Sequence, residues 1–207
     1  MASLLFVFDM DDVLYDYDWR VRMRLLGELT GHDLAELRRR WWHPEGEWRA
    51  EAGGYGTAEQ YHAAFEAAMG VPVPVDEWVR IRRAAMTPWP ASFAAVRRAA
   101  ELGEIALLTN NGPLVEAHLA TLAPEIAPLF GAELHTSSFY GARKPDPAVF
   151  RAVLAAYGRE PEDVFFADDL AENVAGAASV GITAHRFTGA GSLVTAIEAF
   201  AAERSPA

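Results

Sequence analysis

Apolar residues follow two rhythms along this chain. The first is a set of short unbroken runs at residues 4–8, 105–108 and 164–166, with weaker ones at 132–135 and 182–184. Runs of that length suit strands buried on both faces of a parallel sheet. The second is helical spacing, over residues 91–102, 113–122, 147–157, 171–180 and 192–203. Strands alternating with helices predict βαβ units. The expected fold class is α/β, a Rossmann-like parallel sheet core covered by helices on both faces.

Residues 15–87 break the alternation. They show helical patterns at 19–29, 34–41, 58–69 and 76–85 and no convincing strand, and Gly53-Gly54-Tyr55-Gly56 and Val71-Pro72-Val73-Pro74 punctuate them. The expectation is an inserted all-helical cap over 15–87, with a core built from 1–14 and 88–207. The chain returns to the core near Met86-Thr87-Pro88-Trp89-Pro90. The tail at 204–207 is expected to fray.

Composition narrows the function classes. The chain has 207 residues, 51% of them apolar and 23% charged, which is ordinary for a globular protein with a buried core. Its formal net charge of −11 disfavours nucleic acid and anionic membrane as partners. It also disfavours a highly phosphorylated substrate, unless a metal or a local basic group offsets the field. With no cysteine, disulfides, thiolate metal sites and cysteine nucleophiles are excluded. No apolar run has the length of a membrane span. Residues 4–8 read as a first strand and not as a leader, so the expected location is cytoplasmic.

Candidate chemistry gathers where strands end. Phe8-Asp9-Met10-Asp11-Asp12-Val13-Leu14 follows the first run, and ligands of open parallel sheets bind beyond the carboxyl ends of strands. Crowded carboxylates suit a hard divalent cation such as magnesium; a polar turn is the plainer account. Asp168-Asp169 ends the 164–166 run in the same way. Helix capping would explain Asp169 but not Asp168. Thr109-Asn110-Asn111-Gly112 ends a third strand and precedes a helix. It reads as a phosphate-holding turn or as ordinary strand-to-helix turn chemistry. Lys144 is the single lysine among 18 basic residues. A lone lysine in an arginine-rich chain suggests a place that needs a compact point charge and not a planar fork. The six histidines form no His-x-x-x-His pair.

These four segments together resemble the haloacid dehalogenase superfamily in order and spacing. They are Asp-x-Asp-x-Val-Leu from Asp9, Thr109-Asn110, Lys144-Pro145-Asp146-Pro147, and Asp168-Asp169 with Asn173. The stretch from Arg143 to Thr183 resembles the small-cap branch of sugar-phosphate phosphatases, which includes α-D-glucose-1-phosphate phosphatase. The resemblance implies a magnesium-dependent phosphomonoester hydrolase working through an aspartyl-phosphate. By it, Asp9 is the nucleophile, Asp11 the general acid and base, and Thr109 and Asn110 phosphate contacts. Lys144 neutralises Asp9 and phosphate together. The metal (Mg2+) would be held by Asp9, Asp169 and the main-chain carbonyl of Asp11, with Asp168 and Asn173 supporting from behind. Asp12 departs from the pattern, which often has a small residue there.

The implied partner is a small phosphorylated metabolite, closed in by the cap. Trp41, Trp42, His43, Trp48, Arg49 and Tyr55 are the cap residues expected to include the pocket lining, although at least two of the three tryptophans are expected to pack cap helices together. Other readings are a phosphomutase, a dehalogenase and a silent binding module. A signalling receiver domain has similar residues in a different order.

Overall fold

The computed structural model describes residues 4–131 and 134–204. In chain order, strands β1 (Leu5–Phe8) and β2 (Tyr15–Tyr17) lead into helices α1 (Trp19–Thr30) and α2 (Leu34–Arg40). A π-helical turn at Pro44–Trp48 runs into α3 (Arg49–Glu51), then α4 (Ala58–Met69) and α5 (Val75–Ala84). Next come β3 (Met86–Pro88), α6 (Pro90–Leu102), β4 (Glu104–Leu107), α7 (Pro113–Ala117), α8 (Leu119–Leu122) and α9 (Ala127–Phe130). The chain closes with α10 (Pro147–Tyr157), β5 (Val164–Asp168), α11 (Ala171–Ala178), β6 (Thr183–Arg186) and α12 (Ala190–Arg204).

The main sheet is parallel with order β4-β1-β5-β6. Alternation along β1 explains its unbroken apolar run. Phe6 and Phe8 face one layer with Phe93, Val96, Ile197 and Phe200, while Leu5 and Val7 face the other with Val149, Phe150 and Val153. Burial of each such side chain contributes about 1.5–3 kcal/mol. In register, Phe8 pairs with both Leu107 and Ala167. The polar residues that follow these three strands therefore emerge at one end of the sheet.

The insertion departs from expectation at its ends. Tyr15–Tyr17 and Met86–Pro88 form an antiparallel two-stranded ribbon through which both crossings pass. Three-residue strands carry no period-2 signal, so the sequence pattern could not show them. The helix expected over 113–122 is two, separated at His118, where φ is −117° and ψ is 11°. Of the weak strand expected at 132–135, residues 132 and 133 lie outside the described residues, as do 205–207 of the tail. Leu134 and His135 are not in a strand; Thr136 makes one parallel bridge to Thr109. Among the described residues, no helix is long and apolar enough to cross a membrane.

Candidate active site

Asp9 begins where β1 stops. Its N–H still donates to the Ala167 carbonyl at 3.0 Å, so the sheet ladder holds the residue. Its Oδ1 accepts the Met10 N–H at 2.7 Å, and its Oδ2 lies 3.0 Å from Lys144 Nζ. Lys144 is 1% exposed and also reaches Asp168 Oδ2 at 2.6 Å. One ammonium thus bridges the acids that end two neighbouring strands. Asp168 is fixed further by the Leu170 N–H at 2.8 Å and by the Asn173 amide at 3.0 and 3.1 Å.

Asn110 sets the position of the lysine. Its Nδ2 donates to the Lys144 carbonyl and its Oδ1 accepts the Lys144 N–H, both at 2.9 Å. Both polar ends of its side chain are thereby engaged with the Lys144 main chain, and Asn110 lines the pocket around Asp9 and Lys144. Thr109 is buried, and its hydroxyl oxygen accepts from the Asn111 amide at 2.8 Å.

Burial governs the electrostatics. It pushes the Asp9 carboxyl well above the usual range; Lys144 opposes this, while Asp168 and Asp11 add to it. Burial pulls Lys144 down, but Asp9 and Asp168 together outweigh it and hold its pKa above the ordinary lysine value. Asp169 is pushed up to about 6, by burial first and then by Asp168 and Asp12. A negative site of this kind suits an added cation.

Oxygen atoms of Asp9, Asp168 and Asp169 lie within 4.8 Å of one another. Hard oxygen donors at that spacing fit a small divalent cation. The expected set is Asp9, Asp169 and the main-chain carbonyl of Asp11; Asp168 also lies in the cluster, with its oxygens taken by Lys144, the Leu170 N–H and Asn173. The Asp11 side chain turns to Arg82, with Oδ2 2.6 Å from Nη2. Asp12 lines the same pocket as Asp9 and Asp169. Its φ of 58° is left-handed, a conformation that Asp tolerates better than most residues. Its Oδ1 accepts the Tyr17 N–H at 3.2 Å, which ties the tip of β1 to the ribbon.

Beside this centre lies a cavity of about 380 Å3, between the insertion and the strand ends, reached by Asp11, Asn110, Arg22, Arg82, Trp42 and Trp48. Trp48 is 46% exposed, whereas Trp41 is buried against Tyr55, Tyr61 and Phe65. Trp42 does both: it packs edge-on to Phe65 and faces the cavity. His43, Arg49 and Tyr55 do not line it. His43 bonds Glu45 and the Arg40 carbonyl, and Arg49 lies over the Tyr55 ring. The turn that presents Trp48 depends on Gly46, where a Cβ would stand 2.1 Å from the Trp41 carbonyl oxygen.

Sequence reasoning missed Arg22, Arg82, Arg143, Glu47 and Glu51. Arg143 pairs with Glu51 at 2.5 Å, joining the core loop to the insertion. Glu47 accepts from the Trp41 indole and from the Tyr61 hydroxyl. The available signal was register. Arg22 falls one turn before Leu26 and Arg82 one turn after Trp78, so both arginines sit on apolar faces.

A fold with acid-tipped parallel strands, a bridging lysine and a helical insertion defines a hydrolase class. The profile of haloacid dehalogenase-like hydrolases matches residues 4–181, and the chain belongs to that family. A Mycobacterium tuberculosis protein named as a phosphatase is 30% identical over 202 residues, covering 89% of this chain and 87% of that one. A haloacid dehalogenase family enzyme from Bacteroides thetaiotaomicron, crystallised with magnesium and inorganic phosphate, superposes with a TM-score of 0.74 at 19% identity. That match covers 89% of this chain and 94% of the other. L-2-haloacid dehalogenase from Xanthobacter autotrophicus superposes with a TM-score of 0.61 at 22% identity, over 89% of this chain and 77% of that one.

Proposed function

We propose that this hydrolase is a magnesium-dependent phosphomonoesterase that works through an aspartyl-phosphate on Asp9. One observation carries the reading: a buried lysine bridges Asp9 and Asp168, with Asp169 beside them. A carboxylate can attack phosphorus only where the repulsion between anions is offset. Lys144 supplies part of that offset. Magnesium held by Asp9, Asp169 and the main-chain carbonyl of Asp11, with Asp168 fixing Lys144 beside them, would supply the rest as a Lewis acid. The M. tuberculosis relative and the metal- and phosphate-bound B. thetaiotaomicron enzyme support the same reading.

The chain's residues then divide the work. An Asp9 oxygen forms a bond to phosphorus as the bond to the leaving alcohol breaks, and Asp11 gives that alcohol its proton. Asp11 next takes a proton from water, whose oxygen attacks phosphorus and releases phosphate with Asp9 restored. Thr109 donates its hydroxyl hydrogen to the phosphoryl oxygens. Residues 15–87 act as a cap that excludes water from the transfer. Trp42 and Trp48 give the cavity aromatic walls that suit a sugar ring. A dehalogenase reading leaves Asp169 without a task.

The test is magnesium-dependent phosphate release across a panel of phosphomonoesters, with Asp9→Asn as control. Release that requires magnesium and falls at least about 10³-fold in the variant supports the reading. Release that persists in D9N rules out Asp9 as the nucleophile.

A further inference from the structure

Two guanidinium groups in the cavity wall are incompletely bonded. Arg22 on α1 is 4% exposed and Arg82 on α5 is 1% exposed. Burying a guanidinium is costly unless its N–H groups find acceptors. Arg22 Nη1 donates to the Tyr17 hydroxyl at 3.1 Å, but its Nη2 has no partner. Arg82 Nη2 donates to Asp11, while its Nε and Nη1 have none. These N–H groups are shielded from bulk water, which is what makes the missing acceptor costly.

Three acids share the cavity wall with the arginines: Asp11 pairs with Arg82 and the charge of Glu47 favours the charged form of Arg22, yet none of the three reaches the unbonded N–H groups. Glu47 is held by Trp41 and Tyr61, and Glu51 by Arg143. Among the described residues Arg22 makes no ion pair. Aromatic packing holds both guanidinium planes, with Arg82 4.0 Å from the Tyr17 ring centroid and Arg22 5.1 Å from that of Trp78, but a ring face accepts none of the N–H groups left unbonded in the guanidinium plane. Two buried cations with donors to spare, next to the residue that meets the leaving alcohol, form half of an anion site.

We propose that Arg22 and Arg82 are a second anion subsite, which binds a carboxylate or phosphate group at the end of the substrate remote from the transferred phosphoryl group. This rests on the phosphomonoesterase reading and narrows its substrates to phosphomonoesters that carry a second anion. The chain's net charge of −11 repels such a molecule at long range. Lys144 and the metal offset one of its anionic ends, and the two arginines offset the other. The Trp42 ring, with Arg22 5.4 Å from its centroid, continues the same wall.

Non-hydrolysable phosphonates separate binding from turnover. Isothermal titration of the magnesium-loaded wild-type chain compares carboxyl-terminated alkylphosphonates, over a ladder of chain lengths, with methyl-terminated ones of equal length. A parallel ladder of bisphosphonates shows which anion the subsite takes. At one length, the anionic member is expected to bind at least about tenfold more tightly, or about 1.4 kcal/mol. R22Q and R82Q bring that ratio towards one, and R22K and R82K retain part of it. A ladder with no preference at any length, or a preference that survives both glutamine variants, overturns the subsite. The wild-type ladder decides even where a variant does not fold. Discrimination among phosphonates without hydrolysis of any phosphomonoester keeps the subsite and removes the phosphatase reading. Hydrolysis without discrimination does the reverse.

Discussion

Replacing Asp169 by asparagine should stabilise the protein when magnesium is removed and weaken it when magnesium is present. Burial, then Asp168 and Asp12, lift the Asp169 carboxyl from its ordinary 3.8 to about 6. At 1.36 kcal/mol per pKa unit that displacement corresponds to about 3 kcal/mol. Asp169 is only half-buried, and screening by water reduces the figure to about 1–2 kcal/mol. A carboxyl whose folded pKa is raised binds its proton more tightly when folded. The stability it contributes is complete below the unfolded value near 4 and is lost as pH rises through about 6. The amide that replaces it carries no charge, so D169N should exceed wild type by about 1–2 kcal/mol at pH 8 in chelator and match it below pH 4. Magnesium at a hundred times its Kd should stabilise wild type by about 2.7 kcal/mol. The variant lacks one of three clustered carboxylates and should gain far less, so the order reverses. Urea denaturation followed by tryptophan fluorescence, at several pH values with and without magnesium, reads all four quantities. A variant no more stable than wild type at pH 8 in chelator would refute the electrostatic account. Equal stabilisation of both proteins by magnesium would remove Asp169 from the metal site.

Lys144→Met leaves two buried carboxylates facing each other and should cost about 3–5 kcal/mol in urea denaturation, with a larger deficit at pH 8 than at pH 5, where protonation relieves the repulsion. Glu51→Gln should flatten the fall of stability between pH 5 and 8, because burial and then Glu47 lift Glu51 to about 7 and its contribution is lost as pH rises through that value; an unchanged slope of urea midpoint against pH would count against it. Gly176→Ala places a Cβ 2.3 Å from the Pro145 carbonyl oxygen, next to Lys144, and should cost about 1–3 kcal/mol together with phosphate release, measured on the same preparation. Trp48→Ala should leave the urea midpoint nearly unchanged, since the side chain is 46% exposed, but raise KM; unchanged KM would take Trp48 out of the pocket.

The strands at 4–8, 105–108 and 164–166 were legible because both faces of the sheet are covered, which demands unbroken apolar runs. The helices of residues 19–85 were legible from their spacing, and the ribbon joining them to the core was not. Asp9, Thr109 and Asp168-Asp169 were legible as candidate site residues because parallel strands deliver their following residues to one end of the sheet. Lys144 was legible by its rarity, yet nothing in the sequence said that Asn110 would hold its main chain.

Local sequence determined the elements, their alternation and the residues at the strand tips, because apolar periodicity and turn chemistry act over a few neighbours. Tertiary structure decided which carboxylates share a centre. Lys144 joins Asp168 to Asp9, and Arg82, 71 positions beyond Asp11 in sequence, arrives from the insertion and pairs with the Asp11 side chain. A contact of that range depends on how two helices pack across a cavity, and no local pattern encodes it.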